Sequence, residues 1–338
     1  MDYSHRYTTV LYSVRMTNCV SLTRPTSISK SLTCNHPRKI GFGVAVLLCL
    51  LNGTAGTASA QALYNSIPAP LPSNVLSAGP EAYGFAELGD GIVLSTVYRT
   101  PGPVTVILSS FACTSGQWFI PIGSPGSCVT SPAGATFSQA ITLNIYAVIA
   151  GAPPTTGPLL ATVTQTFNIP YRPSSDLAHC GPAGTPGGDG EEWYSPVDNF
   201  CNHGIAFPIS FDLSSLNLNL PDQVILTVGF NTTHYGPAPV GEGTTCFITG
   251  NCPYDSLNIG TFSTPSVGSD LDTDGIYVRY STAGQGCTNS APVGVLADDT
   301  SPGCWTGLHP GIEVDFGYNP LFFNWFFAES GGGGNRLP

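Results

Sequence analysis

The chain has 338 residues, of which 10 are basic, 21 acidic and only 9% charged in all. Six of the basic residues (Arg6, Arg15, Arg24, Lys30, Arg38 and Lys39) lie before residue 61, so the remaining 278 residues carry four arginines, no lysine and 20 of the acids, a formal charge of −16. Such a surface repels phosphate backbones and anionic headgroups, which excludes nucleic acid as a natural partner and leaves cations, neutral glycans and proteins.

Residues 1–37 are rich in Ser and Thr, basic and nearly free of acids, and they read as a leader or a translation start placed too far upstream, without a fold. Arg38 and Lys39 then precede an apolar run from Ile40 to Leu51, and small residues follow as far as Ala58-Ser59-Ala60. A basic end, a short apolar core and an A-x-A site form a secretory signal peptide. The run is too short for a bilayer span, which needs roughly 20 residues. Cleavage after Ala60 is expected, with a mature start at Gln61. The expected location is extracellular, with the cell surface as a variant.

Residues 61–80 read as an extended Pro-rich arm. Beyond them alternation takes over, as in half-buried strands. Val104, Val106 and Leu108 set the pattern. Ile141, Leu143 and Ile145 follow. Ile205, Phe207, Ile209, Phe211 and Leu213 give the cleanest case, and Pro208 within it predicts an edge strand or a bulge. Leu216, Leu218 and Leu220 continue the period. Val224 to Phe230, Ile276 with Val278, and Ile312 to Phe316 supply later strands. No window carries a capped helical stripe. The expected fold is all-β, a single antiparallel, jelly-roll-like β-sandwich over residues 81–328, followed by a flexible Gly-rich tail at 329–338. The aromatic stretch from Phe316 to Phe327 reads as a last core strand and its turn, with an exposed aromatic contact patch as the alternative.

Eight cysteines follow the leader: Cys113, Cys128, Cys180, Cys201, Cys246, Cys252, Cys287 and Cys304. An even number in an exported chain predicts four disulfides, and their clustering favours sequential neighbours. Thiolate–metal spacing is lacking, with no C-x-x-C and no zinc-finger histidines.

Several stretches, ATFSQAITLNIYAV (135–148), LLATVTQTFNIPYRPSSD (159–176), IAFPISFDL and LPDQVILTVGFNTTHYG (within 205–236), PYDSLNIG (253–260) and CWTGLHPGIEVDF (304–316), resemble a group of uncharacterised exported bacterial all-β, sandwich-like proteins. The resemblance implies an extracellular all-β domain and supplies no catalytic residues. Some members end in surface-anchoring signals. An LPxTG motif is missing here, so anchoring is not carried over.

The sharpest chemical motif is Asp270-Leu271-Asp272-Thr273-Asp274-Gly275. Carboxylates at alternate positions before a glycine wrap oxygens around Ca²⁺. The bidentate Glu of an EF-hand is replaced by Ser281, so Asp270, Asp272 and Asp274 would need ligands from elsewhere, such as Asp298 and Asp299. No motif requires a cofactor, and Ca²⁺ is the one ion suggested. Glu191 and Glu192 beside Trp193 and Tyr194 raise glycoside hydrolysis, but adjacent strand residues face opposite ways, so Asp198 or Asp212 would have to be the second acid. The histidines form no H-x-H or H-E-x-x-H, and G-x-S-x-G is missing. His234 and Tyr235, next to the sequon Asn231-Thr232-Thr233, read as a turn.

The function expected from these residues is a secreted non-catalytic β-sandwich module for glycan or protein. Trp118, Trp193, Tyr194 and Trp305 are the aromatic candidates for sugar faces. A glycan-active hydrolase and a structural matrix or coat protein are the alternatives, and no membrane span is expected in the mature chain.

Overall fold

Alternating side chains build two antiparallel sheets around one core. The computed structural model describes residues 62–115, 128–150, 155–182, 190–231, 256–271, 274–279, 294–298 and 307–317. The first sheet has seven strands: β1 (Tyr64–Asn65), β2 (Ser77–Ala78), β4 (Pro101–Ser110), β9 (Ile205–Phe211), β11 (Leu257–Phe262), β15 (His309–Pro310) and β16 (Ile312–Phe316). The second also has seven: β3 (Phe85–Val93), β5 (Thr136–Ile149), β6 (Thr155–Pro170), β10 (Gln223–Gly229), β12 (Ser269–Asp270), β13 (Ile276–Arg279) and β14 (Leu296–Asp298). β7 (Trp193–Ser195) and β8 (Phe200–Asn202) form a separate hairpin. Among the described residues helix is confined to single turns, Pro80–Tyr83, Leu177–Cys180 and the 3-10 turn Ser214–Leu216. None is long and apolar enough to cross a membrane.

Both sheets feed the same core. Val104, Val106, Leu108, Ile259, Ile312 and Val314 come from the first, and Leu88, Ile92, Leu143, Ile145, Leu226 and Val228 from the second. Burying a side chain of this size stabilises by about 1.5–3 kcal/mol before the entropy of ordering it is subtracted. β4 is central to the first sheet, with β16 and β11 along one side and β9 on the other. Pro208 lies opposite Ile107 in β9. The Ile107 N–H points the other way, to the Gly311 carbonyl at 2.9 Å, so the position where Pro208 lacks an N–H faces away from β4 and costs no ladder bond there.

Two expectations are revised. The Pro-rich segment is extended, yet it is not an arm separate from the domain: Leu63 and Tyr64 are fully buried, and β1 and β2 pair with β16 and β11. Leu216 to Leu220 do not continue a strand. The Asp212 carboxylate accepts the Ser214 N–H at 2.9 Å and starts a 3-10 turn, which Asn217 ends in the left-handed region at φ 47°. Strands β3, β6 and β11, which alternation did not single out, complete the sheets.

Two of the four sequential disulfides lie in the described residues, Cys113–Cys128 and Cys180–Cys201, with Cα–Cα distances of 5.5 and 5.7 Å. Cys246, Cys252, Cys287 and Cys304 lie outside them, as do the Gly-rich tail, the aromatic residues after Phe316 and the turn residues His234 and Tyr235.

Candidate functional site

Period 2 in β3 puts Leu88, Asp90 and Ile92 on one face, and that face is the core. A carboxylate therefore points between the sheets. Glycines on either side let neighbouring chain approach. A Cβ on Gly89 would stand 2.0 Å from the Leu226 carbonyl oxygen, and one on Gly91 would stand 3.0 Å from the Leu271 side chain. The close approach at Gly91 brings in β12, where Asp270 pairs with Ile92. From the first sheet, β15 presents His309 and β1 presents Tyr64.

These four residues meet between the sheets. His309 Nδ1 is 3.4 Å from Asp90 Oδ2, and His309 Nε2 is 3.7 Å from Asp270 Oδ2. The ligand atoms of Asp90, Asp270 and His309 all lie within 4.8 Å of one another. The Tyr64 hydroxyl donates to Asp90 Oδ2 at 3.2 Å. Burial pushes the Tyr64 phenol up, and the negative charge of Asp90 adds to the shift, so Tyr64 remains a hydroxyl donor. His309, Asp90 and Tyr64 are fully buried, while the Asp270 side chain keeps 16% exposure and marks the side that faces solvent. Ser66 fixes the neighbouring turn. Its hydroxyl donates to the Pro310 and Ile312 carbonyls and accepts the Ile312 N–H.

The acidic loop that the sequence offered for Ca²⁺ is thus divided in its contacts. Asp270 joins the buried cluster. Asp274 Oδ1 accepts the Gly307 N–H at 2.9 Å and anchors the chain two residues before His309. Asp272 and Asp299 lie outside the described residues. Asp298, in β14, pairs with Ile276. Sequence reasoning passed over Asp90 and gave His309 no role. The one available signal was the Leu88-Asp90-Ile92 alternation, which places an acid on an apolar face.

The aromatic candidates separate as well. Trp193 is buried, and its indole N–H donates to the Gly204 carbonyl at 2.8 Å; it fills space under the hairpin and corrects the expectation of an exposed sugar platform. Tyr194 is half-buried, stacked on His179 with ring centroids 4.6 Å apart and planes 14° apart. Its hydroxyl donates to Asn199. His179 is exposed and bonded through Nδ1 to Asp176 Oδ2 at 2.7 Å. Trp118 and Trp305 lie outside the described residues.

The stack sits on a braced platform. Leu177–Cys180 and the β7–β8 hairpin are joined by Cys180–Cys201, and beneath them Arg172 is fully buried. The Arg172 guanidinium donates to the Glu191 and Pro173 carbonyls and to Ser175. Exposed apolar residues surround the stack in sequence: Val197 at 88%, Phe200 at 65% and Leu177 at 41%.

The acids considered for glycoside chemistry are arranged differently. Glu191 is buried. Asp198 is held below the usual carboxylate range by the Ser195 hydroxyl and the Ser73 N–H, and Asp212 by the Ser214 N–H and hydroxyl. A depressed pKa suits neither residue to the role of general acid. On the opposite face of the second sheet Glu87 accepts from Thr227 and from Tyr146, whose phenol is pushed up to about 12 by burial and then by Glu87.

No protein-family model, no curated protein and no solved structure matches this chain.

Proposed function

We propose that the chain is an exported, non-catalytic β-sandwich module of jelly-roll type that recognises neutral glycans outside the cell. The observation that carries this reading is the rim of the β7–β8 hairpin, where the His179–Tyr194 stack, Phe200 and Val197 are offered to solvent on a disulfide-braced base. Sugar C–H groups pack on such rings, and Asp176 and Asn199 place hydrogen-bonding groups beside them. Exposed apolar residues grouped on one small element mark contact surfaces. The acidic, lysine-free surface favours neutral over anionic sugars. Disulfides in the fold support an oxidising, extracellular setting.

The test is a glycan array probed with the processed protein and with Phe200→Ala and Tyr194→Ala. Binding of a neutral glycan that falls at least tenfold in both variants is expected. A full array without binding, or binding indifferent to both changes, overturns the reading.

A structural coat or matrix role is favoured by a different observation. β6 runs 16 residues at the edge of the second sheet without a charged side chain and, among the described residues, pairs with β5 alone. Long uncharged edges are templates for further strands. Concentration-dependent assembly in analytical ultracentrifugation, abolished by Thr164→Lys, is the expected outcome of that reading.

A further inference from the structure

We propose that Asp90, Asp270 and His309 form a binding site for one divalent transition-metal ion of the zinc class, set between the two sheets. The first support is the orientation of the imidazole. His309 Nδ1 lies 3.1 Å from the Pro310 carbonyl oxygen, which only accepts, so that nitrogen carries the proton. Nε2 is the ring nitrogen left to face a ligand. That atom is fully buried, makes no hydrogen bond and points toward Asp270 at 3.7 Å. A histidine whose distal N–H is fixed on a backbone carbonyl, with its other nitrogen facing a carboxylate, has the arrangement of a metal ligand with its supporting contact.

The second support is spacing. Two ligands on one Zn²⁺, each at 2.0–2.2 Å, stand roughly 3.3 Å apart in a tetrahedral site. The Nε2-to-Asp270 distance of 3.7 Å is close to that edge, and one ligand atom from each of the three residues lies within 4.8 Å of the others. Small side-chain rotations close the remainder. The third support is charge. Asp90 and Asp270 bring two carboxylate groups to one place between the sheets, and a divalent cation is a natural counter-charge for such a pair.

Donor type selects the ion. Ca²⁺ takes six to eight oxygens, whereas an imidazole with two carboxylates suits Zn²⁺ and its neighbours in the first transition row. Tyr64 supports Asp90 from behind through its hydroxyl, and Asp274 holds the chain leading to His309 through Gly307. Ligands from two sheets make the ion a clamp across the core, and the partial exposure of Asp270 gives it a way in.

The experiment uses the full processed chain after chelation. Metal content is measured by mass spectrometry after Zn²⁺ is added and the protein is desalted, melting is followed with Zn²⁺ or Ca²⁺, and the absorption of the Co²⁺ form is recorded. One equivalent of Zn²⁺, a Zn²⁺-dependent rise in melting temperature of about 5–10 °C near a hundredfold excess over Kd and Co²⁺ bands of a nitrogen–oxygen site are expected. Asp270→Asn and His309→Gln should lose stoichiometric zinc, and Tyr64→Phe should weaken it by about 10- to 100-fold. If His309→Gln fails to fold, Asp270→Asn at the exposed side decides. Wild-type protein that retains no zinc overturns the proposal. Zinc binding undiminished in Asp270→Asn, or a melting shift with Ca²⁺ and none with Zn²⁺, overturns it equally.

Discussion

The core between the sheets and the segment from Arg172 to Asn202 are held together by different means. The core is apolar, made of strand faces such as Val104, Leu108, Leu226 and Ile312, and it encloses the polar cluster of Asp90 and His309. The segment has little regular structure. It relies on a disulfide, a buried arginine that ties carbonyls together and a two-strand hairpin. Area burial stabilises the first cooperatively. Covalent and polar ties stabilise the second locally, which suits a surface element that must present rings rigidly without adding a second core. The two proposals accordingly assign different partners to them, an ion to the buried polar cluster and a sugar face to the exposed rim.

The largest effect that tests this contrast is a cavity in the core. Phe211 is fully buried and meets Phe167 edge-on, with ring centroids 5.0 Å apart, so one β9 side chain of the first sheet reaches β6 of the second. Phe211→Ala should destabilise by about 3–5 kcal/mol. Urea unfolding followed by fluorescence and circular dichroism should give a single transition moved to lower denaturant. A loss below about 1 kcal/mol would mean that the sheets are joined elsewhere.

Next in size is the staple. Cys180–Cys201 spans 21 residues, and the chain-entropy model assigns such a loop roughly 3 kcal/mol. The double substitution Cys180→Ser with Cys201→Ser should lower stability by about that amount. Hydrogen exchange should accelerate at the β7 and β8 amides and leave β4 and β11 largely unchanged. Uniform acceleration would dissolve the distinction between a cooperative core and a locally tied segment.

Much of the first region was legible in the sequence and little of its site was. Val104 to Leu108, Ile141 to Ile145 and Val224 to Val228 announce themselves by alternation, because one face of each strand is wet or faces a polar neighbour. β3 escaped because Gly89, Asp90 and Gly91 interrupt its apolar pattern, whereas the glycines serve close approach inside a sheet. The cluster itself joins residues 64, 90, 270 and 309, and only strand pairing brings them together. The second region shows the reverse. Its cysteines declared the staple, since sequential neighbours close short loops, but Trp193 and Tyr194 were indistinguishable as platform residues until burial separated them. Arg172, alone among polar neighbours, gave no sign that it would be the largest fully buried side chain.

The smallest effect concerns a charge at the margin of the core. Glu313 in β16 is half-buried and accepts a hydrogen bond from Asn65 Nδ2 at 2.9 Å. Burial raises its pKa above the ordinary 4.5, and repulsion from Asp315 raises it further, against a smaller lowering by Asn65. A carboxyl whose folded pKa lies above its unfolded value contributes stability that is complete below the unfolded pKa and lost as pH rises through the folded pKa. At neutral pH the fold therefore carries the charge at a loss, which solvent screening keeps small. Glu313→Gln keeps an acceptor for Asn65 and removes the charge, so it should stabilise by about 0.5 kcal/mol at neutral pH. The gain should shrink toward zero as pH falls below the ordinary carboxylate value, where the wild-type side chain is protonated too. Paired urea titrations of wild type and variant at about pH 7 and about pH 4 measure it. A variant less stable than wild type at neutral pH would show that the Asn65 contact outweighs burial and repulsion, and that this edge of the core is held by its polar tie, as the Arg172 segment is.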